Sequence, residues 1–84
     1  MHVEVVSPEA AIWSGEATMV LARTVDGDLG ILPGHAPLLG QLVERAITIK
    51  TGTGDVTVEV KGGFLHVSAE GRVSVLAEEA QLVA

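Results

Sequence analysis

Ile47-Thr48-Ile49-Lys50-Thr51-Gly52-Thr53-Gly54-Asp55-Val56-Thr57-Val58-Glu59-Val60-Lys61 is the stretch whose pattern decides the fold. Ile47 and Ile49 alternate with Thr48 and Lys50. Beyond the Thr-Gly-Thr-Gly-Asp interruption, Val56, Val58 and Val60 alternate with Thr57, Glu59 and Lys61. Successive strand side chains point to opposite faces, so each run is a strand with one dry and one wet face. The interruption between them reads as a hairpin loop.

The same grammar extends outward. Val73 and Val75 flank Ser74, Glu70-Gly71 reads as a turn, and Gly62-Gly63 marks a bulge or tight corner before Phe64-Leu65-His66-Val67. Towards the N-terminus lie Val3 to Val6 and a longer strand from Ala17 to Thr24, entered after Trp13-Ser14-Gly15. That longer strand is apolar on both faces. It is read either as a central strand covered on both sides or as a strand with one face against another protein. Glu78 to Val83 is the one helical candidate, too short to stand alone in water. Many short strands separated by turns predict an all-β sandwich or barrel. No linker, low-complexity tract or internal repeat is evident.

Composition narrows the function. A chain of 84 residues is one domain. At that size only about 60% of the unfolded surface is buried, so a partner is expected to share the burden of stability. Apolar residues make up 48%, which excludes disorder. No apolar run is long enough to span a bilayer, and Met1-His2-Val3-Glu4-Val5-Val6 lacks the basic start and apolar stretch of a signal peptide. There is no cysteine, which removes disulfides and thiolate chemistry and fits a reducing compartment. The net charge of −6 disfavours nucleic acid and anionic lipid as partners.

Chemistry-bearing residues are sparse. His2 sits at an expected frayed terminus, and His66 alternates along a strand. Neither belongs to a cluster at metal-ligand spacing. Asp26 and Asp28 flank Gly27, but the further oxygen ligands of a calcium loop are missing. No metal or cofactor is expected. Ser7, Ser14, Ser68 and Ser74 lie in no nucleophile elbow, and no phosphate-cradling loop is present. An enzyme is therefore not expected.

The segment Thr24 to Leu42 remains: Thr-Val-Asp-Gly-Asp-Leu-Gly-Ile-Leu-Pro-Gly-His-Ala-Pro-Leu-Leu-Gly-Gln-Leu. It is read as a shaped, fairly rigid loop. Asp26-Gly27 is a turn dipeptide, and Leu32-Pro33-Gly34-His35 has Pro and Gly where a type II turn wants them. The segment is far longer than a hairpin link needs. It also carries Leu29, Ile31, Leu32, Leu38 and Leu39, some to close the sandwich and others to meet a partner.

The run Asp26-Gly27-Asp28-Leu29-Gly30-Ile31-Leu32-Pro33-Gly34-His35-Ala36-Pro37-Leu38-Leu39 strongly resembles the signature of the epsilon subunit of bacterial rotary ATP synthases. Val5-Val6-Ser7-Pro8-Glu9 and Trp13-Ser14-Gly15-Glu16-Ala17 are similar to that family's opening strand and turn. Gly62 to Val67 and Val73 to Ala77 are similar to its closing strands. The resemblance implies a flattened two-sheet sandwich of about ten strands, covering residues 1–84. It also implies a non-catalytic central-stalk subunit that packs on the gamma subunit, touches the c ring and turns with both. Its place would be the cytoplasmic face of the bacterial plasma membrane, peripheral and not inserted. Asp28 matches the acidic position facing the c ring, with Asp26 beside it. Gly30, Ile31, Pro33, Gly34, His35, Ala36, Pro37 and Leu38 match the motif around the gamma and c-ring contacts. Family members usually continue into a C-terminal helical hairpin, which carries inhibition and, in some, an ATP site. This chain ends at Ala84, so the expectation is no hairpin and no ATP binding. The alternative is a stand-alone small β-sandwich binding module.

Overall fold

The computed structural model describes residues 1–83. They form ten strands: β1 His2–Val6, β2 Ala11–Glu16, β3 Met19–Thr24, β4 Gly27–Ile31, β5 Leu38–Gln41, β6 Arg45–Thr51, β7 Gly54–Val60, β8 Gly63–Val67, β9 Val73–Ala77 and β10 Ala80–Val83. One sheet runs β2-β1-β9-β8-β5, the other β10-β7-β6-β3-β4. All pairings are antiparallel except β1 with β9. The molecule is a sandwich rather than a barrel, and flattened, with extents of 29 × 28 × 20 Å.

The alternating residues fill the space between the sheets. Val3, Val5, Leu65, Val67, Val73 and Val75 from one sheet meet Val20, Ile31, Ile47, Ile49, Val58 and Val60 from the other, all essentially buried. At about 25 cal/mol per Å² of apolar surface, such β-branched packing is the main stabilising term. The two sheets are joined along one side. Thr24 bridges Leu42, Val25 N–H donates to the Gln41 carbonyl (2.9 Å), and Val43 N–H donates to the Arg23 carbonyl (3.2 Å).

Four sequence expectations are corrected. The stretch Thr24 to Leu42 is not one loop: β4 and β5 occupy most of it, leaving only residues 32–37 between them. Its glycines hid the alternation. Gly30 is a strand residue whose missing side chain leaves room for Met19 and Leu21; a Cβ there would lie 3.2 Å from Met19 Cε. Likewise, Ala11–Glu16 is a strand, not a turn, because Gly15 accommodates the Trp13 ring lying over it. The Glu78 to Val83 helix is instead a turn and β10, since Ala80 to Val83 pair with Val60 to Thr57 of β7. Ladder bonds to an existing strand outweigh the weak intrinsic helix preference of a six-residue segment. His2 is not frayed: Nδ1 lies 2.9 Å from Glu16 and Nε2 3.2 Å from Ser14. As for β3, Val20, Ala22 and Thr24 face the core, while Met19 and Leu21 lie on the outside across Gly30.

Candidate functional site

The strand directions divide the signature residues between two ends of the sandwich. β3 and β4 form a hairpin whose two-residue turn is Val25-Asp26, with Thr24 paired to Gly27 and Arg23 to Asp28. Asp26 and Asp28 therefore sit at one end, beside residues 41–43. β4 then crosses the sandwich, and residues 32–37 turn at the other end. Five strand residues at about 3.3 Å each set these groups roughly 15 Å apart. The ten residues picked from the sequence thus form two clusters, not one.

At the hairpin end the backbone is pinned by a side chain. Thr24 Oγ1 accepts from Asp26 N–H (3.1 Å) and donates to the Gly27 carbonyl (3.1 Å). Gly27 has φ +124°, which a side chain rarely tolerates. Asp26 is exposed at the tip, while Asp28 accepts from Arg23 Nη1 at 3.0 Å.

At the opposite end, His35 N–H donates to the Leu32 carbonyl (3.1 Å) and Gly34 has φ +86°, the type II turn the sequence predicts. His35 is half-buried, with Nδ1 2.7 Å from the Ala36 carbonyl. A carbonyl only accepts, so Nδ1 carries the proton and Nε2 is free of the loop. Pro33, Gly34, Ala36 and Pro37 are exposed. Ile31 is wholly buried and Leu38 packs partly on the core, so both anchor the loop from inside.

The sequence reading missed a third feature, on the outer face of the β2-β1-β9-β8-β5 sheet. Register places Gln41, Phe64, Leu76 and Val6 in one row across four strands, and Leu39, His66, Ser74 and Glu4 in the next. Leu39 is 66% exposed, Leu76 49% and Phe64 46%. Pro8 and Val6 line a shallow hollow beside Phe64 and Leu76. Large apolar side chains gathered on one sheet face make it a candidate interaction surface. The signal was available in parity: Phe64 and Leu76 occupy the outward positions of strands whose inward ones are Leu65, Val67, Val73 and Val75. Cross-strand register was what the sequence withheld. Among the described residues no group of three or more His, Asp or Glu could hold a metal ion. Among the described residues, too, no helix is long and apolar enough to cross a membrane.

This architecture matches known proteins. A family model described as "ATP synthase, Delta/Epsilon chain, beta-sandwich domain" matches residues 1–83. The chain is 53% identical over 83 residues to the ATP synthase epsilon chain of Frankia casuarinae, covering 98% of this chain and 96% of that one. It is 49% identical over 83 residues to the ATP synthase epsilon chain of Streptomyces avermitilis, covering 98% of this chain but 66% of the relative. Among solved structures, a chain in the Euglena gracilis mitochondrial ATP synthase OSCP/F1/c-ring assembly superimposes with TM-score 0.87 and 26% identity, over 95% of this chain and 51% of that one. A chain in the Tetrahymena thermophila mitochondrial ATP synthase central stalk/c-ring structure shares the fold at TM-score 0.79 and 17% identity, over 95% and 64%. With a family model spanning nearly every residue and half the positions identical to named relatives, the chain belongs to the ATP synthase delta/epsilon-chain β-sandwich family.

Proposed function

We propose that this chain is the non-catalytic rotor subunit of a bacterial ATP synthase, at the cytoplasmic face of the plasma membrane. It docks on the gamma subunit through the outer face of the β2-β1-β9-β8-β5 sheet, with His35 and the exposed residues of 32–37 at its border. The β3–β4 hairpin, carrying Asp26 and Asp28, turns toward the polar loops of the c ring. Proton flow is thereby coupled to ATP synthesis without a catalytic group or a nucleotide on this chain. The observation that carries the reading is the exposed Leu39, Phe64 and Leu76 on one sheet face. A rotor part has to transmit torque without bending. A sandwich whose sheets are tied by the bridge between Thr24 and Leu42 suits that duty.

The test is recovery of the tagged chain with membrane-extracted ATP synthase and, separately, with purified gamma subunit. Retention on gamma alone and stronger retention on gamma with the c ring are expected. A chain that stays monomeric and elutes apart from both is a stand-alone binding module, and the rotor reading fails.

A further inference from the structure

Two hairpins of this chain are built alike, although they lie at opposite ends of the sandwich. Arg23-Thr24-Val25-Asp26-Gly27-Asp28 closes β3 on β4, and Lys50-Thr51-Gly52-Thr53-Gly54-Asp55 closes β6 on β7. Both read cation-Thr-x-x-Gly-Asp. In each, the threonine hydroxyl donates to the glycine carbonyl: Thr24 to Gly27 at 3.1 Å and Thr51 to Gly54 at 2.6 Å. In each, the same hydroxyl accepts from the second turn residue: Asp26 N–H at 3.1 Å and Thr53 N–H at 3.2 Å. Gly27 and Gly54 have matching φ of +124° and +137°. The cation and the aspartate stand directly opposite in the ladder and pair: Arg23 with Asp28 at 3.0 Å, Lys50 with Asp55 at 3.4 Å. The repeat is faint in sequence because only three of the six positions are of one type and the turn residues differ.

The repeat says what Asp28 does before any partner arrives. It is the acidic half of a cross-strand pair that closes the hairpin, as Asp55 is at the other end. Directly opposed charges on neighbouring strands attract across a short fixed distance, and here the pinned turn holds their register. The turn positions are what the two hairpins do not share. One has Gly52-Thr53, the other Val25-Asp26. Asp26 is exposed and has no ion-pair partner among the described residues. A second cation, Arg45, lines the same surface hollow as Arg23 and Asp28. The ground around Asp28 is therefore not acidic, despite the chain's −6.

We propose that Arg23 is a specificity-determining residue: it commits Asp28 to a neutral hairpin pair, leaving Asp26 as the free acid that meets a basic partner loop. This rests on the reading that the hairpin faces the c ring. A partner cation gains little from Asp28 while Arg23 holds it in the hairpin pair.

The test is a double-mutant cycle. Affinity of the full chain for detergent-extracted gamma–c-ring complex is measured for wild type, Arg23→Gln, Asp28→Asn and the double variant, with Asp26→Asn and Lys50→Gln alongside. Exposed single pairs are worth little, so effects of about threefold to fivefold are expected. Arg23→Gln tightens binding by about that factor and steepens its salt dependence. Asp28→Asn changes binding less than about twofold when Arg23 is present, but cancels the gain in the Arg23→Gln background. Asp26→Asn weakens binding in both backgrounds, while Lys50→Gln, at the far end, changes nothing. The proposal is overturned if Asp28→Asn costs the same with and without Arg23, or if Arg23→Gln has no effect. If the wild type binds yet no hairpin variant alters affinity, the hairpin does not face the ring, and that part of the proposed function falls with the inference. Failure of the wild type to bind removes the rotor reading itself.

Discussion

Replacing Leu39 with serine should leave the fold nearly intact and damage docking on gamma. Leu39 lies on β5, an edge strand, and is 66% exposed. Burying a whole leucine side chain is worth about 1.5–3 kcal/mol. Only a third of that is already realised in the free chain, so folding should lose about 0.5–1 kcal/mol. For a domain of this size the melting temperature then falls by a few degrees, at roughly 4–8 °C per kcal/mol. Docking would bury the remaining two-thirds, about 1–2 kcal/mol. The serine hydroxyl adds about 1 kcal/mol or more if it is buried without a partner. A total of about 2–3 kcal/mol weakens binding by roughly 30- to 150-fold. Melting by circular dichroism and titration calorimetry with purified gamma measure the two quantities separately. Leu82→Ser is the comparison: that residue is 44% exposed, but on edge strand β10 of the other sheet. It should leave the affinity for gamma unchanged. If Leu39→Ser melts as expected yet binds gamma within about twofold of wild type, the outer face is not the docking surface.

Gly63→Ala should unfold much of the population. A Cβ there would lie 2.1 Å from the Leu76 carbonyl oxygen and 2.7 Å from Ala77 Cα, at φ +110°. A loss of at least about 3 kcal/mol is expected, more than about 12 °C in a thermal melt, whereas Gly52→Ala, with nothing within 4 Å, should shift it little. Asp28→Lys leaves Arg23 facing a like charge and reverses the hairpin's sign. It should lower proton-driven ATP synthesis in reconstituted vesicles while shifting the melt only slightly. His35→Ala removes one bond within the loop, to the Ala36 carbonyl. It should weaken recovery with gamma more than it lowers the melting temperature; the reverse would make residues 32–37 a structural closure. Calorimetry with ATP should show no saturable heat at micromolar concentrations, since no loop of this chain cradles phosphate.

Alternation was the legible part. Wherever Val, Ile and Thr recur at period two, as in Ile47 to Lys50 and Val56 to Lys61, strand, face and core position follow from residue type. Legibility failed where something other than side-chain periodicity decides the backbone. Gly15 and Gly30 are in strands because a neighbour's bulky side chain lies over them, which is a tertiary fact. Residues 80–83 are a strand because β7 offers its edge, and nothing in Ala-Gln-Leu-Val requires that edge to exist. The choice of sandwich over barrel depends on which strands end up neighbours. The candidate surfaces divide in the same way. The Pro33-Gly34 turn was readable from local chemistry. The Leu39, Phe64 and Leu76 face needed register between strands far apart in sequence.

The proposed docking uses two ends and one face of this sandwich, and the fold keeps those regions apart. The described residues form two sheets and no further layer over either. One outer face keeps Leu39, Phe64 and Leu76 exposed, where a partner's surface would complete the burial. The opposite outer face carries Met19 and Leu21 across Gly30, together with the paired charges Arg23–Asp28 and Lys50–Asp55. Exposed pairs of this kind add little to stability, but they leave no lone charge at the hairpin closures and thereby confine the free charge to the tips. At the β6–β7 tip that leaves Gly52-Thr53, neutral. At the β3–β4 tip it leaves Asp26. One structural device thus yields a silent end and an acidic end, and the difference between them comes down to the two residues placed in each turn.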